Sequence, residues 1–338
     1  MQTMDRPIQI VAEDRPIQIV EEDRPIQIVA DSAQQLYYDV LEAIQYGEEV
    51  ASVSDMRSVG SAWGTRDRPT KELRHVSLVL TNPKNRLISA PFVIMEKIIP
   101  RAVLMTLSDE KDVDVLAFYD PRAREFSDDG KSVLTNYGYR IRNFDEVDQI
   151  KLVIDQLKKD RNTRRAVIHI HSVHDAERRY DPCIDSLHFL IRNERLECYS
   201  YWRSENALAL LPMNLFEFTL LQELIASELE IPVGAYVQTV TSLHYYLEDE
   251  QKLKNTLESE TRHASPSPME PMPHHSLCQV DLIREYESKW RLNPSSAGQY
   301  SEKEELSSYW KPMADVIADW IAKKSEQQKA SGCYSCRS

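Results

Sequence analysis

The sequence predicts an α+β fold with a large mixed sheet, and three observations support this. Four segments have the composition and alternation of strands, at residues 166–171, 186–192, 196–202 and 233–241. A long apolar helix is predicted between the last two, at residues 213–228. The chain has 338 residues, of which 42% are hydrophobic, which is enough for one sizeable core. Helices and strands that group in this way are typical of the α+β class.

The elements before these strands are mostly helical. A helix is predicted within residues 32–50, because Leu36, Val40 and Ile44 have helical spacing and Asp31 or Ser32 can cap its first turn. The other predictions are a strand at 75–81, a mostly buried helix at 91–107 interrupted at Pro100, and an amphipathic helix at 145–159. A proline-rich loop at 261–275 and a terminal helix at 301–324 complete the pattern.

The amino terminus contains a repeat of seven residues, Asp-Arg-Pro-Ile-Gln-Ile-Val, which begins at Asp5, Asp14 and Asp23. The copies are spaced nine residues apart, and three units of this length are too short and too few for a solenoid. We expect residues 1–31 to form a loosely docked tail without a catalytic role, or alternatively to add a strand to a partner's sheet. The catalytic domain is then expected at residues 32–328, followed by a flexible tail at 329–338.

Charge and cysteine content limit the classes of partner. The net charge of −13 argues against a nucleic-acid partner, because phosphates would be repelled. Five cysteines without framework spacing argue for a reducing compartment. The sequence has no apolar run of about 18 residues and no signal-peptide pattern at its start, so we expect no membrane partner and a cytoplasmic location.

Cys183 is the candidate nucleophile. A cysteine is more often a small buried hydrophobe than a nucleophile. Cys183, however, follows Pro182 after a polar turn and immediately precedes a predicted strand, which places it at the amino-terminal end of that strand. Cationic neighbours there would favour the reactive thiolate. Cys198 alternates within a strand and is expected to pack in the core.

Metal binding is not expected. Cys333 and Cys336 form one Cys-x-x-Cys in a polar tail without a second pair. His169, His171 and His174 have a spacing that could ligate a metal, but no set of carboxylates or thiolates accompanies them in the sequence. We therefore predict no metal site.

Three arginines and a serine outline an anion site. Arg164 and Arg165 lie at a turn that leads into a strand, where both guanidiniums can reach one phosphate. The alternative is a solvated basic turn. Arg203 and Ser204, at the end of the strand 196–202, would supply a third guanidinium and a hydroxyl. Together these groups could bind a dianion.

Five motifs in this order resemble the thymidylate synthase family over residues 32–250. The motifs are Arg164-Arg165, Pro182-Cys183, Arg203-Ser204-x-Asn206, Pro212-x-Asn214 and His244-x-Tyr246. The resemblance implies a homodimer formed through a twisted sheet, in which Arg164 and Arg165 reach the partner's phosphate site. It also implies roles within one chain: Arg68, Arg203 and Ser204 for phosphate, Asn214 for the base, and His244 and Tyr246 for the sugar hydroxyl.

The resemblance also implies the chemistry. Cys183 would add to C6 of a pyrimidine mononucleotide, and C5 would then attack the one-carbon unit of 5,10-methylenetetrahydrofolate. Water then gives a hydroxymethyl group on the base, whereas hydride from the folate gives a methyl group.

Departures from the synthase pattern favour the hydroxymethyl product. Ile184 stands where synthases have His, and Ser242-Leu243 precedes His244. Both features resemble the nucleotide hydroxymethylases of phage and of nucleoside-antibiotic pathways. Asn206 replaces the Asp that holds the folate and can offer a hydrogen bond without the charge. The polar end of the chain does not resemble the synthase tail that excludes water. We therefore predict a 5-hydroxymethyltransferase acting on CMP or dCMP.

Several points stay open at this stage. The family's catalytic Glu is expected near Ile99 but is not there, so either Glu96 or another group must take its place. Asn214 can pair with cytosine or uracil, because an amide is both donor and acceptor. Ala176 is assigned to sugar selection with the alternative of a plain loop residue, and His188 to the base with the alternative of the core. The competing functions are a dUMP or UMP methylase and an inactive nucleotide- or RNA-binding regulator.

Overall fold

The computed structural model describes residues 26–53, 68–178, 180–303 and 305–330. Within them, the strands are β1 (Ile26–Ala30), β2 (Glu48–Val53), β3 (Arg68–Leu80), β4 (Val167–His169), β5 (Ile184–Arg192), β6 (Arg195–Asn206) and β7 (Val233–Tyr246). They form one sheet in the order β1-β3-β7-β6-β5-β4, with β2 paired to β3. The pairs β1–β3 and β6–β7 are parallel and the others antiparallel. The predicted mixed sheet is confirmed.

Strand β1 changes the predicted limits of the catalytic domain. It is formed by the third copy of the repeat, and Ile28 at its centre is only 1% exposed. Its apolar alternation supplies a buried face, so residues 26–30 belong to the sheet and the predicted boundary at residue 31 is wrong for this copy. The first two copies, and most of the predicted tail at 329–338, lie outside the described residues.

The helices are α1 (Ala33–Ala43), α2 (Met95–Pro100), α3 (Val113–Tyr119), α4 (Tyr137–Asn143), α5 (Gln149–Lys159), α6 (Leu211–Glu228), α7 (Glu250–Leu257), α8 (Leu277–Leu292) and α9 (Lys311–Ala330). Ser32 caps α1 by accepting from Gln35 N, as predicted. Helix α6 is apolar on all sides and buried along nearly its whole length, which is why its sequence shows no amphipathic pattern. None of the described helices is long and apolar enough to cross a membrane. The cytoplasmic location stays a prediction.

The predicted helix at 91–107 is broken at Pro100. Helix α2 ends there, and the chain continues as a π-helical segment, Arg101–Thr106. Proline has no amide hydrogen to continue the α-helical pattern, so a change of hydrogen bonding at this point is expected. π-Helical turns are rare and are frequent at functional sites. This one turns Arg101 and Thr106 towards α6.

The two faces of the sheet differ. One is covered by the core, in which the rings of Trp202 and Phe218 are 5.3 Å apart. On the other face, residues of successive strands stand side by side in register and are only partly buried. This row consists of Val29, Val79, Val237, Tyr199, His188 and Val167. We call it the open row.

Candidate active site

A cavity of about 350 Å³ lies where the carboxyl ends of β6 and β7 meet. The two strands are parallel, and Asn206 pairs with His244, so the motifs at their ends come together although they are far apart in sequence. The cavity is lined by seven residues predicted from the sequence: Arg68, Cys183, Ser204, Asn206, Asn214, His244 and Tyr246. The topology thus supplies the juxtaposition that the motifs alone could only suggest.

Cys183 is half-buried and immediately precedes β5, as the sequence predicted. Its carbonyl oxygen accepts from Arg203 N at 3.0 Å, which anchors the nucleophile to β6. Tyr137 and Tyr180 line the same cavity. Burial, together with the nearby Tyr180 and Cys183, raises the pKa of Tyr137 well above its ordinary value. Tyr137 therefore stays a neutral phenol that can donate or accept one proton beside the thiol.

Asn214 is held by an acidic residue that sequence reasoning did not single out. Its Nδ2 donates to both carboxyl oxygens of Glu205, at 3.1 and 2.8 Å. Gln238 Nε2 donates to the same carboxyl at 3.0 Å. Burial raises the pKa of Glu205 to about 8. The available signal was a carboxylic acid inside the run Arg203-Ser204-Glu205-Asn206, at the end of a strand whose inward residues are otherwise neutral.

His244, Tyr246 and Arg68 form one wall of the cavity. Ser204 Oγ and His244 Nδ1 are 3.4 Å apart, and the His244 and Tyr246 rings meet edge to face. The Arg68 guanidinium lies 3.6 Å above the Tyr246 ring, and its Nε donates to Glu248 Oε1 at 3.0 Å. A hydroxyl, an imidazole and a guanidinium thus converge on the same volume. Such a set suits a sugar phosphate.

Arg203 differs from its predicted position, because it is not among the residues that line the cavity. Arg203 is exposed, whereas the three residues that follow it, 204–206, all line the cavity. The Arg203 Nε donates to the carbonyl of Pro182 at 2.9 Å and its Nη2 to that of Asp181 at 2.6 Å. In the single chain these bonds hold the turn before Cys183 in place, and a phosphate contact by Arg203 stays a prediction.

His188 is also misplaced by the prediction. It belongs to the open row, on the sheet face opposite the cavity, and its ring contacts that of Tyr201 edge to face. Burial lowers the pKa of His188. The alternation of β5 turns Leu187 and Phe189 into the core, so His188 must face the other way. A contact between His188 and the base of the same chain is therefore wrong.

Three further predicted residues lie outside the cavity of their own chain. Ala176 is exposed in the 3₁₀-helix Val173–Glu177. Arg164 and Arg165 are exposed just before β4. Arg164 and Arg165 are absent from the lining of their own chain's cavity. That they complete the partner's phosphate site stays a prediction, and so does a role for Ala176 in sugar selection.

Asn206 has a local structural task. Its Oδ1 accepts from the backbone amides of Leu208 and Ala209, at 3.1 and 2.9 Å, and so shapes the turn into α6. This leaves the amide NH₂ as the polar group that can meet a ligand. A folate contact by Asn206 stays a prediction, with a donor where the family's Asp would place an acceptor.

The structure answers in part what replaces the family's catalytic Glu. Glu96 is exposed, and it lines neither this cavity nor a second cavity that adjoins it. Arg101 lies at the site instead, with Nε 2.6 Å from Glu217 Oε1, while Thr106 donates to Glu217 Oε2 at 2.9 Å. Glu217 is fully buried, and burial raises its pKa although Arg101 opposes the shift. The Glu96 alternative is wrong, and Glu205 is the buried carboxyl at the cavity wall.

A second cavity of about 480 Å³ adjoins the first. The two share Arg101, Arg122, Ala209 and Lys252 in their linings. The rest of the second lining is largely apolar and aromatic, with Phe92, Ile94, Met213 and Trp320, and it carries Lys97 and Lys324 at its edge. An apolar slot with flanking cations suits a flat heterocycle that carries a carboxylate tail.

One group of side chains has the geometry of a metal site. Ligand atoms of His171, Asp175 and Asp181 lie within 4.8 Å of one another. Asp175 is already bonded to the Arg140 guanidinium at 2.5 Å, and His171 Nε2 is 2.8 Å from Asp181 Oδ1. These partners satisfy the charges that a cation would otherwise need to balance. The expectation that the protein uses no metal stays a prediction.

Comparisons with known proteins agree with this geometry. The thymidylate synthase family matches residues 85–284, more than half of the chain. The chain is 31% identical to a deoxyuridylate hydroxymethyltransferase of Bacillus phage SP01, over 64% of this chain and 57% of that protein. It is 30% identical to a putative thymidylate synthase of Methanocaldococcus jannaschii, over 53% of this chain and 77% of that protein.

A solved structure supports the fold. The thermostable thymidylate synthase A from Bacillus subtilis matches with a TM-score of 0.55 at 18% identity, over 68% of this chain and 85% of that one. The chain spans little more than half the length of the phage relative. The family match, the fold and the converging motifs lead to one conclusion: this chain belongs to the thymidylate synthase family.

Proposed function

We propose that the protein is a pyrimidine nucleotide 5-hydroxymethyltransferase that acts on CMP or dCMP with 5,10-methylenetetrahydrofolate and water. The observation that carries the proposal is the shared cavity of Cys183, Asn214, His244 and Tyr246 beside a second, apolar cavity. A nucleophile, a base-reading amide and a sugar-binding pair are thereby combined with room for a second substrate. The names of two phage relatives, which are deoxyuridylate hydroxymethyltransferases, support the reaction type.

The proposed reaction begins at the thiol. Cys183 Sγ forms a bond to C6, the C5–C6 π electrons move to C5, and C5 bonds to the one-carbon unit of the folate. Loss of the C5 proton and of tetrahydrofolate leaves an exocyclic methylene. Water then adds to this carbon while Cys183 leaves as the thiolate, which gives the 5-hydroxymethyl base. Tyr137, neutral and beside the thiol, can donate a hydrogen bond to a ligand atom there during these steps.

The second cavity is proposed as the folate site. Its apolar wall from Phe92 to Trp320 matches a flat pterin, and Lys97, Lys252 and Lys324 match the carboxylates of a folate tail. The shared lining residue Arg101 lies at the boundary, where the one-carbon unit must meet C5. This arrangement brings the two substrates together without a further conformational assumption.

We also propose a homodimer formed through the open row. Its members are half-buried and mostly apolar, and they run across the sheet from β1 to β4, on the face opposite the buried core. An apolar sheet face of this extent is typical of an interface. In such a dimer Arg164 and Arg165 are proposed to complete the partner's phosphate site, and the exposed Tyr201 to be covered.

A second candidate is the same hydroxymethylation of dUMP, which the names of the phage relatives favour. A methylase is the third, favoured by the synthases among the relatives. One experiment separates them. The protein is incubated with methylenetetrahydrofolate and each of CMP, dCMP, UMP and dUMP in ¹⁸O-labelled water, and the products are read by mass.

A gain of CH₂O with solvent oxygen on CMP or dCMP is the expected result. The same gain on dUMP alone would replace the substrate but keep the reaction. A gain of CH₂ accompanied by dihydrofolate would identify a methylase. Binding without any mass change would contradict both and favour a regulator that kept the pocket.

A further inference from the structure

The base-reading amide is held by a chain of buried hydrogen bonds that begins in the core. Trp202 Nε1 donates to Ser200 Oγ at 3.0 Å, and an indole can only donate. Ser200 Oγ lies 2.9 Å from Tyr236 Oη, a pair in which either hydroxyl can donate, and it can donate to the Val237 carbonyl at 3.3 Å. Tyr236 Oη donates to Gln238 Oε1 at 3.3 Å. This bond and the one from Gln238 Nε2 to Glu205 agree on the orientation of the Gln238 amide.

The chain of donors ends at Glu205. Because the oxygen of Gln238 is used by Tyr236, its NH₂ must face Glu205, and the two lie 3.0 Å apart. Asn214 Nδ2 faces the same carboxyl from the other side, at 2.8 Å from Oε2. The four polar residues Ser200, Glu205, Asn214 and Gln238 are all buried, so none of their orientations is averaged by solvent.

This network has a consequence for the ligand, because both Asn214 and Glu205 line the cavity. With its NH₂ bonded to Glu205, Asn214 has its Oδ1 left as the polar atom for a base. An oxygen accepts from the exocyclic amine of cytosine, whereas it repels the O4 carbonyl of uracil. We infer that Glu205 is the residue that selects cytosine over uracil, by holding Asn214 with its oxygen towards the base.

The inference rests on the proposed pyrimidine site, and its test is an equilibrium measurement that does not need turnover. Affinities for CMP and UMP are measured by titration calorimetry with the wild-type protein and with Glu205→Gln. The glutamine can donate to Asn214 Oδ1 and so turn the NH₂ of Asn214 towards the base. The preference for CMP over UMP should fall by about tenfold or more, since one correctly paired base edge discriminates by about 1–3 kcal/mol.

Two further variants test whether a change in the CMP:UMP ratio is specific to the Glu205 network. Glu223→Gln is the matched control, because Glu223 is a buried carboxyl of the same helix as Asn214 that bonds to Arg86 and Tyr309 and lines neither of the two cavities. Its CMP:UMP ratio should equal that of the wild type. Gln238→Leu removes the other donor to Glu205 and should lower the ratio in the same direction by less. It also replaces Glu205→Gln if that variant does not fold.

The outcomes separate this inference from the proposed reaction. A wild type that prefers CMP and a Glu205→Gln variant that loses this preference support the inference. An unchanged ratio in Glu205→Gln, or a wild type that prefers UMP, overturns it, even if the protein hydroxymethylates a pyrimidine. Binding of CMP through Glu205 without any product supports the inference and removes the proposed reaction.

Discussion

The two faces of the central sheet differ, because one is buried under the core and the other carries the half-buried open row. On the core face Trp202 packs at right angles to Phe218, and both are essentially inaccessible to solvent. On the other face Tyr199 is half-buried and Tyr201 is 41% exposed. The difference teaches that the core is completed on one face, and that the other face is the one the proposed dimer would cover. The candidate active site lies at the end of the covered face.

The largest effect is expected where the covered face ends at the nucleophile. Cys183→Ser should lower turnover by about 10³-fold or more, because the serine hydroxyl is a far weaker nucleophile at neutral pH. Nucleotide affinity should change little, since Asn214, His244 and Tyr246 remain. Product formation and equilibrium binding are measured together. Cys278→Ser, at an exposed thiol far from the cavity, is the control and should keep full activity.

The second expected effect compares the stabilities of the two faces. Phe218→Ala should lower the free energy of unfolding by about 3–5 kcal/mol, because it removes a fully buried ring. Tyr201→Ala, on the open face, should lower that of the dilute protein by about 1 kcal/mol or less. Urea unfolding measures both. Equal losses in the two variants would mean that Tyr201 stabilises the single chain as much as a core residue does.

The third effect tests what covers the open row. Val237→Lys places a charge at its middle, between Tyr199 and Val79, and should convert the proposed dimer to monomers in sedimentation velocity. Activity should fall in parallel if Arg164 and Arg165 serve the partner. Val147→Lys is the control, because Val147 is an exposed valine that lies outside the sheet. A wild-type protein that is monomeric at all concentrations would contradict the proposed interface.

The smallest effect concerns pH. Burial raises the pKa of Glu205 from its usual value of 4.5 to about 8, so between these values the folded chain binds more protons than the unfolded chain. Stability contributed by this group therefore falls as pH rises through that window. Glu205→Gln should lose less stability than the wild type between pH 5.5 and pH 8, as measured by urea unfolding. Glu217, with a pKa raised in the same direction, keeps part of the dependence in both proteins.

Much of this organisation could be predicted because it depends on local signals. The strand start at Cys183, the cap at Ser32 and the break at Pro100 each follow from one or two residues. The motifs that line the cavity came from the resemblance and from the order of residues. Each of these features depends on residues that are neighbours in the sequence, so it can be predicted without knowing which strands pair.

The failures have a common cause, which is that they required knowledge of pairing. The sequence places His188 on the strand after Cys183, but the alternation of β5 turns it to the face opposite Leu187 and Phe189. Arg203 belongs to a motif of the family, but it lies outside the lining of the cavity and bonds to the turn before Cys183. Glu205 was passed over because a carboxylic acid in a motif has no distinguishing mark until Asn214 and Gln238 are brought to it. The repeat is compatible with a strand, but the sequence does not show that this strand pairs with β3 of the same chain, about 50 residues away, instead of with a partner's sheet.

Strand β1 also bears on how the gene can change. The strand that borders β3 is encoded by the last of three nearly identical units, and its residues Ile26–Val29 occur twice more upstream. Tandem copies of this length gain and lose units when a polymerase slips. Loss of the units at residues 5–22 would leave every residue of β1 and its neighbours in the sheet unchanged. The edge of the sheet is thus buffered against contraction of the repeat that supplies it.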